Sequence, residues 1–225
     1  MVLDDSTPSF IAPILPPNFM AEYPQSPVKL GIMASGSGTN FEAIAEAIAS
    51  SYLKAQVQVV IYNNPGAKVA ERASRWKVPA ILLNHRDYKK RRRDFDAKIV
   101  ETLRNYDVEL VVMAGWMRIV TPVLIDAFRD RILNIHPSLL PSFRGGRAVE
   151  DALEAGVKIT GCTVHIVRPE VDSGPILIQA AVPILPEDTT ESLHARIQIQ
   201  EHKIFPVSIA IAAARLAGWN PGKTT

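Results

Sequence analysis

Asn134, His136 and Asp172 are the residues whose types and placement could do chemistry. They lie in Asn134-Ile135-His136-Pro137-Ser138-Leu139-Leu140-Pro141 and in Glu170-Val171-Asp172-Ser173-Gly174-Pro175. An imidazole moves protons to and from a reacting amine near neutral pH, a carboxylate beside it favours its protonated form, and an amide N–H stabilises a developing oxyanion. Those three groups suffice for acyl transfer. Residues 133–135 read as a strand that ends at Pro137, so His136 falls where a strand opens into a rigid loop. Open α/β sheets place their chemistry at such strand ends.

A second loop with chemical potential is Ala34-Ser35-Gly36-Ser37-Gly38-Thr39-Asn40. It follows an apolar run and opens an amphipathic stretch, so its small residues let backbone N–H groups point at an anion near a helix N-terminus. A dinucleotide fingerprint fails because Phe41 stands where the third glycine belongs, and Asn63-Asn64 supply no acidic ribose ligand. The pattern favours a phosphomonoester; the bland alternative is a tight strand-to-helix turn.

The elements that must position these loops alternate from residue 28 onward. Apolar runs at 30–34, 57–62, 80–83, 110–114 and 132–135 are separated by amphipathic stretches at 40–50, 67–77, 87–104 and 122–128. This is a βαβ series, and runs without polar alternation imply strands covered on both faces. The expected fold is α/β, a doubly wound and mostly parallel sheet. After Pro141 the rhythm changes to a helix at 147–155, strands at 158–167 and 175–183, and a long C-terminal helix. That part extends the sheet antiparallel. Thr121-Pro122 reads as a helix start, and Asp188 with Glu191 as a capping box opening the last helix, which Pro206 should break or kink.

Composition narrows the class. The chain has 225 residues, 47% apolar and 21% charged, with a net charge of +2, which is too small to argue for nucleic acid. Cys162 is the single cysteine, so no internal disulfide and no cysteine-based metal site is possible, and a buried thiol is expected. No pair of histidines has metal-binding spacing, so no metal is expected. No apolar run reaches the ~18 residues that span a bilayer, and residues 1–27, with six prolines and no Lys or Arg, lack the basic start of a secretory signal. The expectation is a cytoplasmic protein in which residues 1–27 and 218–225 are flexible tails around a domain at 28–217. Its halves would be 28–135, holding the phosphate, and 136–217, carrying the catalytic groups.

Other conspicuous residues have structural readings. Lys89-Lys90-Arg91-Arg92-Arg93 opens an amphipathic helix marked by Phe95, Ile99, Val100 and Leu103, so most of it reads as a solvated face. His165 lies mid-strand and reads as a hydrogen-bonded structural histidine. His194, Gln198 and Glu201 form one polar stripe on the last helix, able to face solvent or line a cleft.

Taken together, Met33 to Asn40, Ala114-Gly115-Trp116-Met117-Arg118-Ile119, Asn134 to Pro141, Asp172 to Pro175 and Gln198-Ile199-Gln200-Glu201-His202 closely resemble the phosphoribosylglycinamide formyltransferases of purine biosynthesis. The resemblance runs from about 28 to 217. It implies a Rossmann-like formyltransferase fold, 10-formyltetrahydrofolate as co-substrate, 5-phosphoribosylglycinamide as acceptor, no metal, and a monomer or homodimer without nucleic-acid or membrane partners. It implies that Asn134, His136 and Asp172 are the catalytic trio and that Gly36, Ser37, Gly38, Thr39 and Asn40 cradle the substrate phosphate. Gln198 and Glu201 would meet the ribose and amide. The folate would contact Arg92, Met117, Arg118, Ile119, Val120, Asn134, Arg168, Pro169, Glu170, Val171 and Asp172, with Arg92 near its glutamate tail. Residues 142–149 depart from some relatives by having no histidine. A 10-formyltetrahydrofolate deformylase, using water as acceptor with the same trio, is the alternative reading.

Overall fold

A computed structural model describes residues 10–219. One eight-stranded sheet runs in the order β1-β8-β7-β6-β5-β2-β3-β4. Its parallel part consists of β2 (Val28–Ala34), β3 (Ala55–Tyr62), β4 (Ala80–Leu82), β5 (Leu110–Met113) and β6 (Ile132–His136). β7 (Ile159–Ile166), β8 (Ile176–Pro183) and β1 (Ile11–Ala12) continue it antiparallel.

Alternate side chains of the parallel strands face different layers, as the period of a strand requires. Leu30, Ile32, Val60, Leu110, Val112 and Leu133 pack with α2 (Thr39–Ala49), α3 (Val69–Arg75) and α7 (Thr190–Leu216). Met33, Val59, Ile61, Val111, Met113 and Ile132 pack with α4 (Arg92–Asn105) and α5 (Pro122–Ala127). Both faces are covered, which is why these strands carry no polar alternation. The chain leaves β2 towards β3 and β4 on one side and later fills β5 and β6 on the other. The turn after β2 therefore opens at the topological switch point of the sheet.

Several expectations need correction. Residues 10–27 are part of the body: β1 pairs with β8, and the short α1 (Phe19–Glu22) buries Phe19. At the other terminus Trp219 packs on the Phe19 ring at 4.9 Å between centroids. The expected tails at 1–9 and 220–225 lie outside the described residues. The amphipathic stretch expected from 87 opens instead as a 3-10 turn at His85–Tyr88, and α4 starts only at Arg92. The cap of α7 is Thr189, reciprocally bonded with Ser192, and Pro206 lies inside the helix without ending it.

Asp188 serves a different purpose from the expected cap. Its two oxygens receive both Arg196 guanidinium nitrogens at 2.8 and 2.7 Å, the Leu185 N–H at 2.7 Å and the Ser192 hydroxyl at 2.8 Å. The bond to Arg196 is the main reason its carboxyl falls to about 2, overcoming the opposing effect of burial. A lowered carboxyl stabilises the fold above its unfolded value and loses that contribution as pH falls through the folded one. Wild-type stability should therefore lose about 2 kcal/mol from this group between roughly pH 4 and pH 2. In Asp188→Asn that component should be missing, so the two urea-unfolding curves of stability against pH should converge on the acid side. Parallel curves would remove the pair from the account.

Candidate active site

Asn134 and His136 are two residues apart on β6 and therefore share a face of the sheet. Across the antiparallel pair, His165 of β7 stands opposite Asn134. The Asn134 amide nitrogen lies 3.2 Å from His165 Nε2, while His165 Nδ1 lies 3.2 Å from the Ile166 carbonyl. Nδ1 thus faces a carbonyl acceptor, and Nε2 stands beside the Asn134 amide. His165, read from sequence as structural, is hydrogen-bonded as expected, but it also belongs to the constellation.

Asp172 arrives from the loop between β7 and β8 with a left-handed backbone, φ +51°. Gly174 makes this approach possible, since a side chain there would meet the Ile166 carbonyl oxygen at 1.6 Å. Asp172 Oδ2 lies 3.4 Å from His136 Nδ1 and accepts the Gly145 N–H at 3.0 Å, and Oδ1 lies 3.5 Å from His165 Nε2. Burial pushes this carboxyl up, but hydrogen bonds from His165 and Gly145 and the charges of both imidazoles leave it below its ordinary value. His136 is 5% exposed, and its Nε2 donates to the Phe143 carbonyl at 2.8 Å. Both ring nitrogens thus face oxygen acceptors. The backbone of 143–145 is a contributor that the sequence does not advertise.

These groups open into a cleft of about 300 Å³. Met117, Arg118, Ile119, Val120, Arg168, Pro169 and Val171 line it together with the trio. Two expected contributors stand outside. Glu170 is paired with Arg144 at 2.8 Å, and Arg92 donates to the Ile119 carbonyl at 2.7 Å from the rim. The walls are mostly apolar, with the polar trio, Arg118 and Arg168 among them, which suits a flat ring system bearing an anionic tail.

The glycine-rich turn lies beside this cleft, since the Ser35 hydroxyl accepts the Met117 N–H at 2.9 Å. α3 fixes its shape: Val69 N–H donates to the Gly36 carbonyl at 3.2 Å and Arg72 Nε to the Ser37 carbonyl at 2.8 Å. Gly38 caps α2 at φ +75° with no side-chain acceptor, leaving the first-turn N–H groups free for an anion. Asn40 donates to Glu201 at 2.8 Å, while its side-chain oxygen and that of Gln200 are buried without partners. Burial raises the Glu201 carboxyl despite the Asn40 bond and the His194 charge. The polar stripe is thus divided: Glu201 is buried, Gln198 half-buried and His194 exposed. Among the described residues no group of acidic, histidine or cysteine side chains could hold a metal, and no helix is long and apolar enough to cross a membrane.

Residues 28–209 match the formyl transferase family model. Phosphoribosylglycinamide formyltransferase of Bacillus subtilis is 41% identical over 178 residues, covering 79% of this chain and 91% of that protein. The human trifunctional purine biosynthetic protein adenosine-3 is 39% identical over 186 residues, so the chain spans 83% of itself but only 18% of that protein's length. Among solved structures, glycinamide ribonucleotide transformylase 1 of Symbiobacterium toebii superposes with a TM-score of 0.82 at 46% identity, over 84% of this chain and 89% of the other.

The two glycines of the turn should behave differently. A Cβ on Gly38 would meet Val69 at 2.6 Å and adds the strain of a positive φ, whereas one on Gly36 meets nothing within 4 Å. Gly38→Val should lower stability by roughly 1–3 kcal/mol. Gly36→Val should stay within about 0.5 kcal/mol of wild type and weaken binding of a phosphomonoester. Thermal unfolding and calorimetric titration check both, and an unchanged phosphate affinity in Gly36→Val would take the anion away from this turn.

Proposed function

We propose, from the premise that this chain belongs to the formyl transferase family, that it transfers the formyl group of 10-formyltetrahydrofolate to the amine of 5-phosphoribosylglycinamide. The products are formylglycinamide ribonucleotide and tetrahydrofolate, within purine biosynthesis. The observation that carries this reading is the meeting of Asn134, His136 and Asp172 in a cleft directly beside an anion-ready turn. The cleft takes the folate between Met117–Val120 and residues 168–172, and Arg118 and Arg168 in its wall, with Arg92 on the rim, attract its carboxylates. The turn at 36–40 takes the phosphate, and Gln198 and Glu201 reach the ribose and amide.

The acceptor amine attacks the formyl carbon, and the carbonyl electron pair moves onto oxygen. The Asn134 amide N–H and protonated His136 stabilise that oxyanion, while Asp172 orients the ring. Collapse re-forms the carbonyl and breaks the bond from carbon to N10. A proton passes from the attacking nitrogen to the departing one through His136 or an ordered water. No covalent enzyme intermediate is required.

The charge of Asp172 should matter more than its shape. Asp172→Asn should lower kcat by ~10²–10⁴ in a protein that still folds, the usual contribution of such a group. Near wild-type turnover would remove Asp172 from the mechanism.

Acceptor dependence separates a transferase from a deformylase with the same trio. Appearance of tetrahydrofolate should require added 5-phosphoribosylglycinamide and match formylated product one for one, because the bound phosphate places the amine where water has no such advantage. Release of formate without the ribonucleotide, unaffected by its addition, would establish the deformylase.

A further inference from the structure

We propose that Asp96 is a positioning residue for the one-carbon donor: from inside α4 it holds the cleft wall at 117–121 in the shape that receives the donor's ring system. This rests on the folate reading above. Asp96 is 3% exposed, and its Oδ2 accepts the Thr121 N–H. One turn earlier on the same face of α4, Arg92 donates to the Ile119 carbonyl at 2.7 Å. Two side chains of one helix thus grip the backbone on either side of Val120, a residue of the cleft wall.

The wall needs such a grip. Residues 114–121 belong to no helix or strand, so the regular hydrogen bonding of β5 and α5 stops at its two ends. Near its start, Ser35 N–H donates to the Gly115 carbonyl at 3.0 Å, and the Ser35 hydroxyl accepts the Met117 N–H at 2.9 Å. Beyond Met117 the hold passes to α4. Side-chain packing does not replace it, since Met117 is 80% and Ile119 57% exposed. Nor does the Asp96 bond serve α5, because the Leu124 and Ile125 amides of its first turn already donate to the Thr121 carbonyl at 3.1 and 3.2 Å. Burial raises the Asp96 carboxyl above its ordinary value, and the Thr121 bond with the charges of Arg92 and Arg118 opposes that rise. The other inward positions of this helix, Phe95, Ile99 and Leu103, are apolar. A carboxylate among them is costly unless a donor meets it, and the donor that does is the wall.

The test compares Asp96→Ala and Asp96→Asn with wild type in steady-state kinetics on both substrates. In Asp96→Ala the KM for 10-formyltetrahydrofolate should rise about tenfold, the loss expected for a hydrogen bond to a charged acceptor, while kcat and the KM for 5-phosphoribosylglycinamide stay within about twofold. Asp96→Asn keeps an oxygen for Thr121 without the charge and should raise the donor KM only about threefold, so it decides the question even if Asp96→Ala does not fold. Amide hydrogen exchange of the free proteins gives a second readout: 117–121 should exchange faster in the variants, with β2 and β5 unchanged. An unchanged donor KM, an equal rise in both KM values, or faster exchange throughout the molecule would overturn the assignment. A wild type that transfers no formyl group to the ribonucleotide would instead strike the formyltransferase reading and the donor with it, while the exchange comparison, which needs no substrate, would still decide whether Asp96 holds the wall.

Discussion

One carboxylate organises the candidate active site. Asp172 is contacted by elements from three places in the chain: His136 at the end of β6, His165 in β7, and the Gly145 N–H of the loop after β6. Withdrawn from water, it would prefer to be neutral, and the donors around it reverse that preference. The same donors fix where His136 stands, because the loop that supplies Gly145 also supplies the Phe143 carbonyl to the other side of the imidazole. The acid and its histidine are held by a single backbone segment.

The sheet explains why that arrangement sits where it does. Its parallel strands bury both faces, so polar groups can emerge only at strand ends or where an antiparallel partner takes over. β6 is the boundary, parallel to β5 on one side and antiparallel to β7 on the other. Asn134 pairs in register with Met113 on the parallel side and with His165 on the antiparallel side. The loop after β7 then returns Asp172 to the same end of the sheet.

The alternation of apolar runs made the parallel core legible in sequence, since strands covered on both faces leave a strong pattern. The trio was legible because unusual polar groups stand beside prolines and glycines. His165 was not, because its role depends on the register of β7 against β6, which composition does not encode. Residues 10–27 were misread because their prolines argue against regular structure, yet two paired residues and one buried phenylalanine suffice to fasten them to the β8 edge. The capping of α7 was misplaced by one residue because Asp188 and Thr189 are both good caps, and the buried Arg196 claims the first.

Glu201 shows how the two halves of the site are joined. A carboxylate near the proposed phosphate cradle would repel the ligand if it were charged and free. Here burial favours its neutral form and the Asn40 amide donates to it. Asn40 belongs to the first turn of α2, so the helix that opens the cradle and the helix that carries Glu201 share a buried hydrogen bond. Asn40 and Gln200 retain side-chain oxygens that are buried and unmatched. Such atoms cost free energy in the absence of a donor, and a ribose hydroxyl or an amide is the kind of donor that would relieve them. The discrimination between a phosphorylated amine and water would then come from polar groups already held in place by packing, with the continuous course of α7 through Pro206 keeping Gln198 and Glu201 on one rigid element.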